Sequence, residues 1–189
     1  MERREELLQK ALTLFLRRGY DNTPMSHLAE DMRMSKAGLY HYFGSKEELL
    51  FLIHKDYLEK HFLPIIEEAE KVIDPQKRLI LFLRNYTKLL ARSSAARVLI
   101  HEMARLKPKH REEIRSVWKR AYQLIRSSIS ELKKSGKAKD INSTFASFLA
   151  IGMCCWTYYW FDYNRQESAD DLAESVIKIF TKGLLTNKS

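Results

Sequence analysis

Apolar residues recur at three- and four-residue intervals along nearly the whole chain, the period of amphipathic helices. The first stripe, Leu7, Leu8, Ala11, Leu12, Leu14 and Phe15, ends at Gly19 after Arg17 and Arg18, the residue types of a helix C-terminus. A second helix is predicted over 24–32, with Thr23 as its N-cap, Pro24 in its first turn and Leu28, Ala29 and Met32 inward. After the turn "RMS", Ser35 caps a third helix over 36–42. Ser45 and Glu48 stand at capping-box spacing and open a helix expected to reach about residue 73, bent at Pro64. Asp74-Pro75 starts a fifth over 75–92, and a sixth spans about 95–106. "KPKH" interrupts the pattern before a long helix over 108–134. "KSGKAKD" is the most linker-like stretch, and two last helices follow over 142–162 and 168–185. The pattern predicts an all-α chain of about nine helices, with no repeat and no strand.

Composition supports this reading: 6 Gly and 4 Pro leave little material for tight turns. No apolar run reaches the roughly 18 residues of a membrane span, and "MERREELLQK" lacks the layout of a signal peptide. The only cysteines, Cys154 and Cys155, are adjacent and rarely pair in that arrangement. A cytoplasmic, reduced protein is expected.

Helices 24–32 and 36–42, joined by about three residues, have helix-turn-helix spacing. The second has only Leu39, and partly Phe43, as core anchors. Its other positions, Lys36, Ala37, Gly38, Tyr40, His41 and Tyr42, face something else. Small residues at its start allow close approach to bases in a major groove, while Tyr and Lys reach phosphates. Ser45 and Lys46 begin the next helix and offer a second phosphate contact. The competing reading makes Tyr40, Tyr42 and Phe43 core aromatics; it suits Phe43 best.

The stretch "ALTLFLRRGYDNTPMSHLAEDMRMSKAGLYHYFGSKEELL" resembles the N-terminal domain of TetR-family transcriptional regulators over about residues 5–50. The resemblance implies a helix-turn-helix domain over 1–48 and a ligand-binding and dimerisation domain over 49–189. It further implies a homodimeric repressor of palindromic operator DNA, contacted by Thr23, Lys36, Ala37, Gly38, Tyr40, His41, Tyr42 and Lys46. Arg33 stands where the family often has Gly, and either holds an unusual backbone angle or reaches a phosphate. "HEMARLKPKHREEIRSVWKRAY" and "IGMCCWTYYWFDYNRQESADDLAESVIKIFTKGL" are similar to a subgroup that controls fatty-acid and sterol-side-chain degradation genes and responds to acyl-CoA.

Net charge is +9, unevenly spread: residues 84–139 hold 16 Lys/Arg against 4 Asp/Glu, whereas residues 1–50 hold 8 of each. Such a stretch is either a solvated helix face or the mouth of an anion site. A long-chain acyl-CoA needs a basic mouth beside an apolar tunnel. Arg105, Lys109, Arg115 and Lys119 are candidates for the mouth, and Trp118, Tyr122, Met153 and Trp156 for the wall. Each apolar candidate serves equally well as core or dimer packing. The stretch "MCCWTYYWF" is apolar nearly all round, so its helix is expected to be covered on several sides. Ile151, Cys155, Leu172, Val176, Ile179 and Phe180 are the candidates for a four-helix dimer interface. The rival effector is a hydrophobic drug, with an efflux gene as target, which buried acids would favour. A helical lipid carrier without a DNA role is the third reading. No Gly-rich phosphate loop, metal-ligand spacing or nucleophile elbow is present, so no cofactor, metal or catalytic residue is expected.

Overall fold

A computed structural model describes residues 2–160 and 168–185, without the side chains of Glu2, Arg97 and residues 158–160. The last two positions of the expected helix 142–162 therefore lie outside the described residues. In chain order the helices are α1 Glu2–Arg18, α2 Met25–Asp31, α3 Lys36–Tyr42, α4 Lys46–Tyr57, α5 Leu63–Glu70, α6 Pro75–Arg92, α7 Ser94–Glu102, α8 Pro108–Lys134, α9 Ser143–Trp160 and α10 Ala169–Leu184. A π-turn, Leu58–Phe62, joins α4 to α5, so the two count as one bent helix of the expected nine. The bend precedes Pro64 because Pro has no N–H for the carbonyl four residues back, and the preceding turn widens. One isolated antiparallel bridge, Ala138 to Leu185, is the only β-type pairing among the described residues.

Side-chain caps fix four of the helix starts. The side chains of Ser35, Ser45, Asp74 and Ser168 accept the N–H groups of Gly38, Glu48, Lys77 and Asp171. Thr23 is a correction: Pro24 occupies the cap position of α2, and the Thr23 hydroxyl turns back to donate to the Gly19 carbonyl at 2.7 Å. That donation aims the hydroxyl at the end of α1, and α2 has no side-chain cap.

The chain forms two compact units, one of residues up to Leu58 with Ser94–Arg115, the other of Glu59–Ser93 with residues from Ser116 on. The first exceeds the segment 1–48, because Leu49, Leu50, Ile53 and His54 of α4 are buried within it. Its core also holds Leu7, Phe15, Leu28, Leu39 and Phe43. His54 sits with Nδ1 2.9 Å from the Leu50 carbonyl and Nε2 2.7 Å from that of Leu99, tying α4 to α7. Burial holds its pKa below the ordinary 6.5, although both carbonyls act the other way.

In the second unit α6 lies against α5, α9 and α10. Leu79, Phe82, Leu83 and Tyr86 of α6 are buried with Phe62, Ile66, Ile125, Ile129 and Leu132. Phe62 packs on Tyr86 at 5.2 Å and on Trp118 at 4.7 Å. Cys154 and Cys155 face this side of α9. Thr87 donates to the Cys154 sulfur at 3.3 Å, and the Tyr86 hydroxyl lies 2.9 Å from the Cys155 sulfur. Burial pushes the Cys154 thiol up to about 12, so it stays a small apolar group rather than a nucleophile.

Candidate nucleic-acid interface and effector region

The α2–α3 connection, Met32 to Ser35, is four residues long and tightly specified. Arg33 N–H donates to the Glu30 carbonyl and Met34 N–H to that of Ala29, both at 3.0 Å. This is the Schellman arrangement, which puts Arg33 in the left-handed region, at φ 53°. Of the two readings of Arg33, the unusual backbone angle is present. α3 then starts at Ser35 and is held by Leu39 and Phe43, both fully buried.

Around those anchors α3 is open. Lys36, Ala37 and His41 are exposed, Gly38 is half-exposed, and Tyr40 and Tyr42 remain 42% and 37% exposed. The three aromatics thus divide: Phe43 is core, and the two tyrosines face out. Gly38 has a structural reason as well, since a Cβ there would lie 3.2 Å from the Ser35 hydroxyl that caps the helix.

Two of the expected contacts do not face outward. Thr23 is 0% exposed, its hydroxyl committed to Gly19. Lys46 lays its ammonium 4.2 Å from the centre of the Tyr20 ring and donates to the Tyr20 carbonyl. Partial burial lowers the Lys46 pKa, with Arg105 adding to the effect and Asp21 and Glu102 opposing it. Lys46 therefore fastens α4 to the α1–α2 turn.

Sequence reasoning missed the next residue, Glu47. Its carboxylate accepts from the Lys107 backbone N–H at 2.8 Å and lies 2.9 Å from His110 Nδ1. Burial raises its pKa, but these donors more than offset that, and the carboxyl stays below its ordinary value. Phe51 stacks on the His110 ring at 4.0 Å and 6°. Glu47 so seats the start of α8 on α4. Its signal was its place in the first turn of a capped helix, where a carboxylate favours the positive helix end.

The expected effector residues are divided between the two units. Arg105, Lys109 and Arg115 belong to the first unit and Trp118, Lys119, Tyr122, Met153 and Trp156 to the second. Arg105 is bonded to Asp21 and Glu102. Trp118 joins Phe62 and Tyr86, with its indole N–H buried and unbonded among the described residues. Tyr122 stacks on Phe148 at 5.3 Å. Met153 instead lines a 300 Å³ apolar groove with Ile141, Leu149, Ile179 and Phe180, and Trp156 is exposed. Part of the basic excess is held in ion pairs within the units. Arg84 meets Glu174, Lys88 and Arg92 meet Asp170, Arg120 meets Glu67 and Glu70, and Lys133 meets Asp140. Lys109, Arg115 and Lys119 are exposed and without an ion-pair partner among the described residues.

Within the protomer the dimer candidates divide. Val176 and Phe180 are buried inside the protomer, and Cys155 points at Tyr86, because α9 and α10 turn these positions toward α6. Ile151 and Leu172 are half-buried, and Ile179 is exposed. Phe145, Phe148, Leu149 and Trp156 extend the exposed apolar surface of α9. Among the described residues no helix is long and apolar enough to cross a membrane.

Comparison with known proteins places this architecture. Residues 7–53 match the family described as bacterial regulatory proteins, tetR family, and residues 72–184 match the tetracyclin repressor-like C-terminal domain. The HTH-type transcriptional regulator HbdR of Aromatoleum sp. (strain CIB) is 25% identical over 99% of this chain and 82% of its own. The crystal structure of AibR in complex with isovaleryl coenzyme A and operator DNA is 27% identical, covers 94% of this chain and 97% of that one, and superposes with a TM-score of 0.86. FadR of Bacillus subtilis in complex with stearoyl-CoA, at 19% identity and TM-score 0.77 over 95% of this chain and 98% of that one, shares the fold. With both of its halves matched and its reading helix laid open, this chain belongs to the TetR family of bacterial transcriptional regulators.

Proposed function

We propose that the chain is a homodimeric repressor that reads a palindromic operator through α3 and is released by an acyl-CoA thioester, controlling genes of lipid degradation. The observation that carries the DNA part is the short helix α3, anchored by Leu39 and Phe43, with Lys36, Ala37, Tyr40, His41 and Tyr42 exposed. A helix so placed fits a major groove, with small residues near bases and Tyr and Lys near phosphates. Pairing of protomers through the exposed apolar side chains of α9 and α10, Phe145, Phe148, Leu149 and Ile179, supplies the two-fold symmetry of a palindrome.

The acyl-CoA part is supported by the likeness to AibR, which was crystallised with isovaleryl coenzyme A. Lys109, Arg115 and Lys119 are the cations available for a phosphate-rich head group, and the cluster around Trp118 the apolar surface nearest them in sequence. One observation favours a neutral hydrophobic drug instead: Met153, a candidate wall residue, lines a groove with the apolar Ile141, Leu149, Ile179 and Phe180 and no cation among the described residues. A cationic drug is disfavoured, since no Asp or Glu is buried among the described residues.

The test is fluorescence anisotropy on DNA from upstream of the protein's own gene, titrated with isovaleryl-CoA, a long-chain acyl-CoA and free CoA. Operator release by a thioester but not by CoA supports the reading, and the more effective chain length defines the effector. Tight, salt-sensitive DNA binding indifferent to all three leaves a repressor of another ligand. No salt-sensitive binding at all removes the DNA role.

A further inference from the structure

Among the described residues three helix ends pass through the left-handed region: Gly19 at φ 80°, Gly136 at φ 68° and Arg33 at φ 53°. The last two close the same motif. After α8, Gly136 N–H donates to the Lys133 carbonyl and Lys137 N–H to that of Leu132, the bond pattern repeated by Arg33 and Met34 after α2. The geometry asks for glycine at both places, because a Cβ crowds the following carbonyl there. Glycine stands at one and arginine at the other.

Arg33 has no compensating contact. It is exposed, and no carboxylate binds its guanidinium among the described residues. Asp31, two positions away, is taken by Arg18, and the exposed Glu30 is not used. So a strained backbone carries a cation that does nothing for the fold. Two residues on, Ser35 opens the reading helix, and Lys36 there is likewise exposed and unpaired. Resting on the DNA reading above, we propose that Arg33 is a phosphate anchor: its guanidinium grips the backbone beside the groove that α3 enters and sets how α3 is aligned. Backbone strain at a position with no fold-level reward is the pattern of a functional constraint. A guanidinium matches a phosphate with two parallel N–H donors.

The test compares wild type, Arg33→Gly and Arg33→Lys on a duplex selected by the wild-type protein from a randomised library, across a salt series, with thermal unfolding alongside. Arg33→Gly relieves the strain, so its midpoint is expected to rise by about 2–4 °C. Its operator affinity is expected to fall at least about fivefold, with the slope of log K against log salt shallower by about 1.8, the value of two phosphates, one for each protomer of the dimer. Arg33→Lys keeps the charge and the strain, so the slope stays near wild type. A glycine variant that is stabilised but binds with unchanged affinity and slope makes Arg33 a tolerated turn residue and overturns the proposal. If the wild type itself selects no duplex, the DNA reading fails first and takes this one with it.

Discussion

The cations of the reading helix and those of the second unit are the same residue types put to opposite uses. Around α3, Arg33 and Lys36 are exposed and unpaired. In the second unit, Arg78, Arg84, Lys88, Arg92, Arg120 and Lys133 each meet a carboxylate. The neutral segment 1–50 thus offers free positive charge, while seven of the 16 Lys/Arg of the basic segment 84–139 are neutralised by acids, most of them elsewhere in the chain. A polyanion site is located by what a cation lacks, and net charge along a segment does not report that.

The largest effect that would sharpen this contrast is the double substitution Lys36→Ala, Tyr42→Ala. We expect operator affinity to fall by about two orders of magnitude, roughly 2.7 kcal/mol, with the unfolding midpoint unchanged. Anisotropy and calorimetry on one preparation decide it, and loss of fold would break the contrast. Next is Arg78→Ala. Its guanidinium donates to Ser128 at 2.8 Å and to Glu131 at 2.6 Å, and its side chain is only 13% exposed. Chemical denaturation should show a loss of about 2 kcal/mol with DNA binding intact. Arg120→Ala removes an exposed pair to Glu70 and should cost under about 1 kcal/mol, fading in high salt. An Arg120 cost that persists in high salt would mean the pairs are more than surface neutralisation.

The smallest effect concerns pH. Burial keeps the folded-state pKa of His54 below 6.5, so as pH falls the unfolded chain takes up the proton first. Stability from this group is complete above pH 6.5 and is lost as pH drops toward the folded value. Urea melts at pH 7.5 and 5.5 should differ in wild type and differ less in His54→Gln.

How far the sequence reached follows from the range of each interaction. Helix starts were legible because caps act over three residues, as at Ser35, Asp74 and Ser168. The open face of α3 was legible because two apolar anchors in seven residues leave nothing else to bury. Thr23 was misread because its hydroxyl points back to the Gly19 carbonyl, a local bond that the residue type alone does not distinguish from a cap. The ion pairs were out of reach: Arg84 and Glu174 stand 90 positions apart, and only the packing of α6 on α10 brings them together. The sides of α9 were equally hidden. A helix apolar all round carries no moment to say that Cys154 turns inward and Leu149 outward.

The Phe51–His110 stack, with its rings 4.0 Å apart and nearly parallel, has a spectroscopic consequence. Each ring lies in the shielding cone of the other, so the imidazole carbon-bound protons of His110 resonate upfield of those on a solvent-facing histidine. The signal vanishes if the start of α8 lifts from α4. Because α8 continues past Arg115 into the other compact unit, one proton resonance reports on a helix shared by both. No label or engineered probe is needed to watch it while an effector is added.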